Sequence, residues 1–173
     1  GHYETTGKEI WEQTEGKIDG FICASGTGGT IAGVSNALKE KNKDIKIYLS
    51  DPKGSCLYSY IKTKEFKSEG NSITEGIGSS RSTKNFEKAL IDDAFSIDDT
   101  TALTVLFNLI EQEGLSLGTS SGINVAGAIK LAQELGPNKT IVTILCDKSD
   151  RYQGKLFNKK FLMDKKLPYP KWL

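Results

Sequence analysis

The sequence predicts an α/β protein in which helices flank a parallel sheet. Short apolar runs typical of buried strands alternate along the chain with stretches in which apolar residues recur at helical spacing. Two of the runs, Ile18 to Ala24 and Ile45 to Ser50, enclose an amphipathic stretch from about Thr30 to Glu40. A strand, a helix and a second strand in this order form a βαβ unit, which joins parallel strands by a right-handed crossover.

The remaining elements continue this alternation on both sides of the βαβ unit. A helix from about Gly7 to Glu15 precedes it, with Thr6 and Glu9 at the spacing of a capping box. The polar segment Pro52 to Asn71 shows no such pattern and is interpreted as a mobile or partner-covered region. Periodicity and terminating glycines predict four more elements: a helix from about Asp98 to Gly114, a strand from Leu115 to Leu117, a helix from Ile123 to Leu135 and a strand from Thr140 to Leu145.

Composition and charge exclude several classes of protein. The 173 residues are 37% hydrophobic and 26% charged, which is typical of one globular domain, and the formal net charge of +1 argues against a surface for nucleic acid or anionic lipid. No run of about 18 apolar residues is present, so no membrane-spanning helix is predicted. Cys23, Cys56 and Cys146 are odd in number and lack Cys-x-x-Cys spacing, so neither a zinc site nor a disulfide framework is expected. A reducing, cytoplasmic environment fits this cysteine usage best.

The stretch Gly26-Thr27-Gly28-Gly29-Thr30 has the character of a phosphate-binding turn. It follows the predicted strand that ends at Ala24 and leads directly into a predicted helix. Because glycine lacks a Cβ, the backbone can adopt positive φ and its N–H groups can converge on an oxyanion. The helix adds the positive end of its dipole, and the hydroxyl groups of Thr27 and Thr30 are further candidate donors.

Three interpretations of this turn compete. A Walker A loop is excluded, because no Gly-Lys pair followed by Ser or Thr closes the turn. A dinucleotide-binding fingerprint begins correctly with Gly26 and Gly28, and Asp51 ends the next strand as a candidate ribose ligand, but the third glycine position holds Ile31. A tight turn that binds nothing remains open.

A second turn rich in small residues, Gly118-Thr119-Ser120-Ser121-Gly122, also joins a predicted strand to a predicted helix. Ser120 and Ser121 are both candidates, either for capping the helix or for binding a ligand. Since the carboxyl ends of parallel strands meet at one edge of a sheet, both turns are expected at the same edge. Asp147 is the nearest candidate acid but lacks a second carboxylate, and the single histidine, His2, is interpreted as structural.

Taken in order, five blocks of the sequence resemble the cysteine synthase and cystathionine β-synthase family of pyridoxal-phosphate enzymes, known as fold type II. The blocks are His2-Tyr3-Glu4-Thr5-Thr6-Gly7-Lys8-Glu9-Ile10-Trp11, Gly26 to Thr30, Glu75-Gly76-Ile77-Gly78, Gly118 to Gly122 and Arg151-Tyr152. This resemblance extends over nearly the whole chain and replaces the dinucleotide interpretation. It implies that residues 1–173 are the C-terminal portion of a longer enzyme, mainly its large cofactor-binding domain, in the tryptophan synthase β-like fold.

The resemblance also implies which residues bind pyridoxal 5′-phosphate. The loop that holds the phosphate of the cofactor matches Gly26, Thr27, Gly28, Gly29 and Thr30. Ser120 matches the serine that hydrogen-bonds the pyridine nitrogen, where a neutral hydroxyl favours elimination and replacement at the β-carbon over transamination. The segment beside the amino-acid substrate matches Gly76, Ile77 and Gly78. No catalytic residue and no metal ligand is assigned within this chain.

The activity implied by the resemblance is cysteine synthesis from an activated serine and sulfide, by an enzyme that forms a homodimer. The lysine that binds the cofactor covalently has no match here, since its family segment precedes anything that matches Gly1, so the isolated chain is expected to be inactive. Lys148 and Ser149 stand where relatives usually carry Ser and Gly beside the cofactor ring. Two alternatives remain: a non-catalytic module that binds phosphate or the cofactor, and an enzyme of the cystathionine β-synthase type.

Overall fold

Four parallel strands form the centre of the structure, a computed structural model that describes all 173 residues. The strands are β1 (Gly20–Cys23), β2 (Lys46–Pro52), β3 (Asp93–Ile97) and β4 (Ile141–Thr143). Their order across the sheet is β3-β2-β1-β4, and every neighbouring pair is parallel. The structure therefore confirms the predicted α/β class and the first βαβ unit.

Helices cover both faces of this sheet. The helices of the chain are α1 (Thr6–Gln13), α2 (Gly29–Lys41), α3 (Leu57–Thr63), α4 (Asp99–Glu113), α5 (Thr119–Leu135), α6 (Gln153–Leu156) and α7 (Lys159–Asp164), of which α6 and α7 pack with α4 rather than on the sheet. Short 3-10 turns lie at Phe86–Lys88 and Ser149–Tyr152. None of the helices combines the length and the apolar composition that crossing a bilayer requires.

The side chains of β1 alternate between two packed layers. Phe21 and Cys23 belong to the largest buried cluster, which includes residues of α1, α2 and α3. Ile22, between them, packs with Leu131 of α5 on the other face. Because successive side chains of a strand point in opposite directions, the sheet separates α1, α2 and α3 from α5, against which α4 packs.

Helix α5 lies unusually close to the sheet. A Cβ at Gly127 would collide with the Ser50 hydroxyl of β2, so only glycine permits this approach. The same Ser50 hydroxyl donates a hydrogen bond to the Ile123 carbonyl at 2.7 Å. The two contacts fix the N-terminal half of α5 against the sheet, which matters for the site described below.

Two predictions for the region between residues 115 and 123 are wrong. Leu115 to Leu117 is not a strand, since Leu117 forms only an isolated antiparallel bridge with Lys148. The helix that follows begins at Thr119 rather than at Ile123. Its first turn is buried, and a Cβ at Gly122 would lie 2.7 Å from the Ala102 carbonyl oxygen, so tertiary packing overrides the low helix propensity of Ser, Thr and Gly.

The structure also contains elements that the sequence pattern does not reveal: β3, α3 and the short C-terminal helices α6 and α7. Strand β3 lies at the edge of the sheet and mixes polar Asp93 and Ser96 with apolar residues, which hides the alternation. Helix α3 lies within Pro52 to Asn71, the segment interpreted as mobile or partner-covered, and packs Leu57 into the main core. The capping box is absent as well, because α1 begins at Thr6 and its N-cap residue forms no side-chain hydrogen bond.

Asp51, the candidate ribose ligand, is fully buried and serves α3 instead. Its Oδ2 accepts a hydrogen bond from the Tyr58 amide at 2.7 Å, while its Oδ1 has no partner. Burial raises the pKa of the Asp51 carboxyl from 3.8 to about 6, although the hydrogen bond from the Tyr58 amide and the nearby donors of Ser55 and Leu57 oppose the shift. The Asp51 carboxyl therefore stays protonated to a higher pH in the folded protein than in the unfolded chain.

We expect Asp51 to make folding stability fall as the pH rises from about 4 to about 6. In that interval the unfolded chain has lost the Asp51 proton and the folded protein still holds it, so the neutral acid contributes stability at low pH that disappears as the folded form titrates. A rise of the pKa from 3.8 to about 6 corresponds to roughly 3 kcal/mol. Asp51→Asn, which is neutral at every pH, should gain stability relative to the wild type over this interval in urea unfolding. An unfolding difference that does not change with pH would contradict this assignment.

Candidate functional site

The glycine loop, Gly26 to Thr30, connects the end of β1 to α2 and presents unpaired backbone donors. The successive N–H groups from Gly26 to Ile31 donate to no acceptor in the protein. The first N–H groups of any helix lack partners within the helix, and here those of the preceding turn lack partners as well. Such a run of free donors at a helix N-terminus suits an anion.

Two glycines of this loop are required by their surroundings. A Cβ at Gly26 would collide with the Gly76 carbonyl oxygen. Gly28 has a φ of 82°, which side chains rarely adopt, and a Cβ there would lie 2.6 Å from the Phe86 nitrogen. A substitution at either position is therefore expected to disturb the fold before it affects a ligand.

Gly29 differs from its neighbours because it has room for a side chain. The nearest atoms to an added Cβ are the Thr27 hydroxyl at 3.7 Å and His2 Cδ2 at 3.9 Å, both at ordinary contact distance. Gly29 is also the first residue of α2, so a side chain there lies at the positive end of the helix dipole. This position can carry a charge without distorting the loop.

The two threonines of the loop have different surroundings. The Thr27 side chain is exposed and forms no hydrogen bond within the protein, whereas the Thr30 hydroxyl lies 3.3 Å from Nε2 of His2. Nδ1 of His2 in turn lies 2.9 Å from the Thr6 hydroxyl. The histidine thus links the N-terminal helix to the loop, which agrees with its interpretation as structural.

The N-terminal turn of α5 brings Ser120 and Ser121 to the same edge of the sheet, with distinct roles. Ser121 is fully buried, and its hydroxyl accepts a hydrogen bond from the Cys146 amide at 3.1 Å. Ser120 is 5% exposed, and its hydroxyl has no partner in the protein, although it is not among the fully enclosed polar atoms. Ser120 is therefore the serine that is free to bind a ligand.

Asn124, one turn further along α5, connects the two turns, and the sequence gives no sign of this role. Its side-chain oxygen accepts from the Ala24 amide at 2.7 Å, and its side-chain nitrogen donates to the Ile144 carbonyl at 2.7 Å. These partners follow the ends of β1 and β4, so Asn124 ties the glycine loop, the end of β4 and the start of α5 to one another. The signal for this contact is the burial of the Asn124 side chain between two strand ends, and burial cannot be seen in the sequence.

Asp147 and Tyr152 form a second clamp at this edge. The Tyr152 hydroxyl donates to Oδ2 of Asp147 at 2.8 Å, and the Gly118 amide donates to the Asp147 carbonyl at 2.9 Å. Burial, together with the hydrogen bond to Asp147, raises the pKa of the Tyr152 hydroxyl. Asp147, the candidate acid, is thus engaged in holding Gly118, whose missing Cβ allows the carboxylate to approach.

The cleft segment, Gly76 to Gly78, lies against the glycine loop. The Gly78 amide donates to the Ser25 carbonyl at 2.8 Å, and the Gly76 carbonyl faces Gly26. Ile77 packs on the buried cluster that contains Ile123 of α5. The structure therefore brings the loop and the cleft segment together, with the start of α5 behind Ile77.

The available donors fit pyridoxal phosphate. Free backbone N–H groups, the Thr27 hydroxyl and a helix N-terminus suit a phosphate, and the Ser120 hydroxyl suits a ring nitrogen. No cluster of three or more His, Cys, Asp or Glu side chains that could hold a metal ion is present. A larger groove of about 1460 Å³ lies along the outer side of α2, but it reaches the loop only at Gly29 and mixes acidic and basic side chains. The run of free donors, rather than the volume, makes the glycine loop the candidate site.

Comparisons with known proteins identify the family of the chain. The model of the family described as "Pyridoxal-phosphate dependent enzyme" matches residues 1–147. A cysteine synthase from Dictyostelium discoideum is 46% identical over 94% of this chain, and cystathionine beta-synthase from Rattus norvegicus is 37% identical over 95%. A solved O-acetylserine dependent cystathionine beta-synthase from Helicobacter pylori superposes with a TM-score of 0.80 at 32% identity over 89% of the chain.

The chain spans only part of the length of these proteins. It covers 46% of the Dictyostelium cysteine synthase, 29% of the rat cystathionine beta-synthase and 48% of the Helicobacter chain.

The hydrogen bonds of the two serines predict unequal effects of substitution on stability. Ser121→Ala leaves the Cys146 amide without its acceptor and should destabilise the protein by about 1 kcal/mol or more. Ser120→Ala removes a hydroxyl that has no protein partner and should change the free energy of unfolding by much less. Urea unfolding of both variants checks this. Equal losses would mean that the Ser120 hydroxyl has an internal partner after all.

Proposed function

Because the chain belongs to the family of pyridoxal-phosphate dependent enzymes, we propose that its glycine loop holds the phosphate of the cofactor and that the complete enzyme is a cysteine synthase. In this reaction sulfide replaces the β-substituent of an activated serine. The observation that carries the proposal is the run of unpaired N–H groups from Gly26 to Ile31 at the N-terminus of α2.

Each part of the site has a proposed task. The backbone of the loop binds the phosphate, with the Thr27 and Thr30 hydroxyls as further donors, and Ser120 meets the ring nitrogen. The cleft segment borders the amino acid, since its backbone lies against the loop at Gly26. When bound, pyridoxal phosphate supplies an electron-withdrawing ring that stabilises negative charge next to the amino group of an amino acid.

The Ser120 hydroxyl supports replacement at the β-carbon as the reaction type. A carboxylate opposite the ring nitrogen would hold a proton there, whereas a neutral hydroxyl does so less effectively. The chain places no carboxylate next to Ser120 on α5, and Oδ2 of Asp147 accepts a hydrogen bond from the Tyr152 hydroxyl. Transamination is therefore disfavoured relative to loss and replacement of a β-substituent.

The product of the complete enzyme is proposed to be cysteine, with cystathionine as the second candidate. Relatives described as cysteine synthases reach 46% identity, compared with 37% for the rat cystathionine beta-synthase. Incubating the complete enzyme with O-acetylserine and either sulfide or homocysteine, and identifying the product by mass spectrometry, decides between the two.

We propose a homodimer in a reducing, cytoplasmic compartment, in keeping with three free cysteines.

The lysine that binds the cofactor covalently is proposed to lie outside these 173 residues. Neither the glycine loop, nor the cleft segment, nor the first turn of α5 contains a lysine. With only the residues described here, the chain can bind the cofactor but cannot hold it covalently or move the α-proton with that lysine. A chain that binds the cofactor without turnover would correspond to the alternative of a non-catalytic module.

Gly29→Asp should abolish retention of pyridoxal phosphate while leaving the fold intact. The position accepts a Cβ, and a carboxylate at the first turn of a helix is favourable for the helix, but it repels a phosphate in the same place. Gly29→Asn, nearly identical in shape and neutral, is the matched control and should retain most of the cofactor. Absorbance of the bound cofactor after gel filtration of the complete enzyme measures both. Equal retention by the two variants would show that the loop does not hold the phosphate.

Borohydride reduction of the isolated chain with pyridoxal phosphate should produce no stoichiometric lysine adduct. Surface lysines react with the free aldehyde at low yield, and this background should be the same in Gly29→Asp, which lacks the phosphate site. Peptide mapping by mass spectrometry locates any adduct. A single lysine modified to completion in the wild type and not in Gly29→Asp would place the covalent lysine within this chain and overturn the proposal.

A further inference from the structure

Ser55, in the loop between β2 and α3, makes a two-way contact with the residue that follows the cleft segment. Its hydroxyl donates to the Ser79 carbonyl at 3.2 Å and accepts from the Ser79 amide at 3.0 Å. The adjacent Cys56 amide donates to the same Ser79 carbonyl at 2.7 Å. Both backbone groups of Ser79 are thus satisfied by one short stretch of chain.

The cleft segment also lies close to the β2–α3 loop at Gly78. A Cβ at Gly78 would lie 3.0 Å from Pro52 and 3.1 Å from Cβ of Ser55, so the cleft segment rests directly on the β2–α3 loop. That loop is itself fixed by buried Asp51, which accepts from the Tyr58 amide at the start of α3. The end of the cleft segment at Gly78 and Ser79 is therefore connected to the core through Ser55, while Ile77 holds its middle by packing on the cluster that contains Ile123.

Packing does not provide an alternative support on this side. A polar cavity of about 370 Å³ borders Gly78 and Ser79, and it is lined mainly by Ser, Thr, Gly and Asn residues of three loops. On the opposite side the segment meets the glycine loop through the bond from the Gly78 amide to the Ser25 carbonyl. Because the cavity offers little packing on this side, the hydrogen bonds of the Ser55 hydroxyl and the Cys56 amide to Ser79 hold this end of the cleft segment.

We infer that Ser55 is a positioning residue for the amino-acid substrate, acting through Ser79 and the cleft segment. The inference rests on the proposed function, because it takes Gly76 to Gly78 as the border of the amino-acid site. Ser55 touches neither substrate nor cofactor in this assignment. Removing the Ser55 hydroxyl should loosen the cleft segment. The glycine loop should stay in place, because it has its own support in Asn124 and Phe86.

The test compares Ser55→Ala with Ser59→Ala in the complete enzyme. Ser59 lies two residues into α3, and its hydroxyl forms no hydrogen bond, so it is a matched control. In Ser55→Ala the Ser79 amide should exchange with deuterium about tenfold faster, and the KM for the amino acid should rise about five- to tenfold. Retention of pyridoxal phosphate should stay within about twofold of the wild type. Ser59→Ala should match the wild type in all three measurements.

A second variant disturbs the same contact from the side of the cleft segment. Gly78→Ala keeps the Ser55 hydroxyl but pushes the segment away from Pro52 and Ser55 at a residue whose φ is 77°, and it should raise the KM in the same way. It covers the case in which Ser55→Ala does not fold.

The outcomes separate this inference from the proposed function. Ser79 exchange in Ser55→Ala equal to that in Ser59→Ala overturns the inference, as does faster exchange with an unchanged KM. A wild-type enzyme that neither retains pyridoxal phosphate nor converts the amino acid overturns the proposed function itself, and the inference with it.

Discussion

The side-chain amide of Asn124 is the contact on which the site edge of this protein depends. It is 1% exposed and satisfies one donor and one acceptor that follow two different strands, at Ala24 and Ile144. A buried amide that lost these partners would carry a large desolvation cost, so the arrangement is all-or-none. The close docking of α5 at Gly127 keeps Asn124 in reach of both strand ends, and Ser120 is positioned by the same helix.

Around this fixed point, the glycine loop separates its donors from its acceptors. Its neighbouring carbonyls are engaged: that of Ser25 by the Gly78 amide, that of Thr27 by the Thr83 hydroxyl at 2.7 Å, and that of Gly28 by the Ala32 amide. The N–H groups of the same stretch remain free. The loop therefore offers unpaired N–H groups while the carbonyls of Ser25, Thr27 and Gly28 are engaged within the protein. This is the arrangement expected of a loop that binds an anion without a lysine or arginine of its own.

The sequence predicts those parts of the structure that local patterns determine. The βαβ unit, the glycine loop and the serine turn follow from periodicity and from small residues at strand ends, and family resemblance selects Ser120 over Ser121. Strand β3 and helix α3 are too short or too mixed in polarity to leave a pattern. The contacts of Asn124 with Ala24 and of Tyr152 with Asp147 depend on tertiary neighbours, so no spacing rule reveals them. Likewise, only packing shows that Gly28 cannot change and Gly29 can.

The strand order has a consequence for how the chain folds during its synthesis. Strand β1 lies inside the sheet, with β2 on one side and β4 on the other, and Gly20 of β1 is in register with Ile141 of β4. The ribosome releases β1 and β2 long before it reaches β4, so one edge of β1 stays open while most of the chain is being made. An open apolar edge invites pairing with other nascent chains, and such distant pairing forms slowly. The apolar β1, which ends directly at the glycine loop, is therefore the strand of this sheet that waits longest for its second neighbour during synthesis.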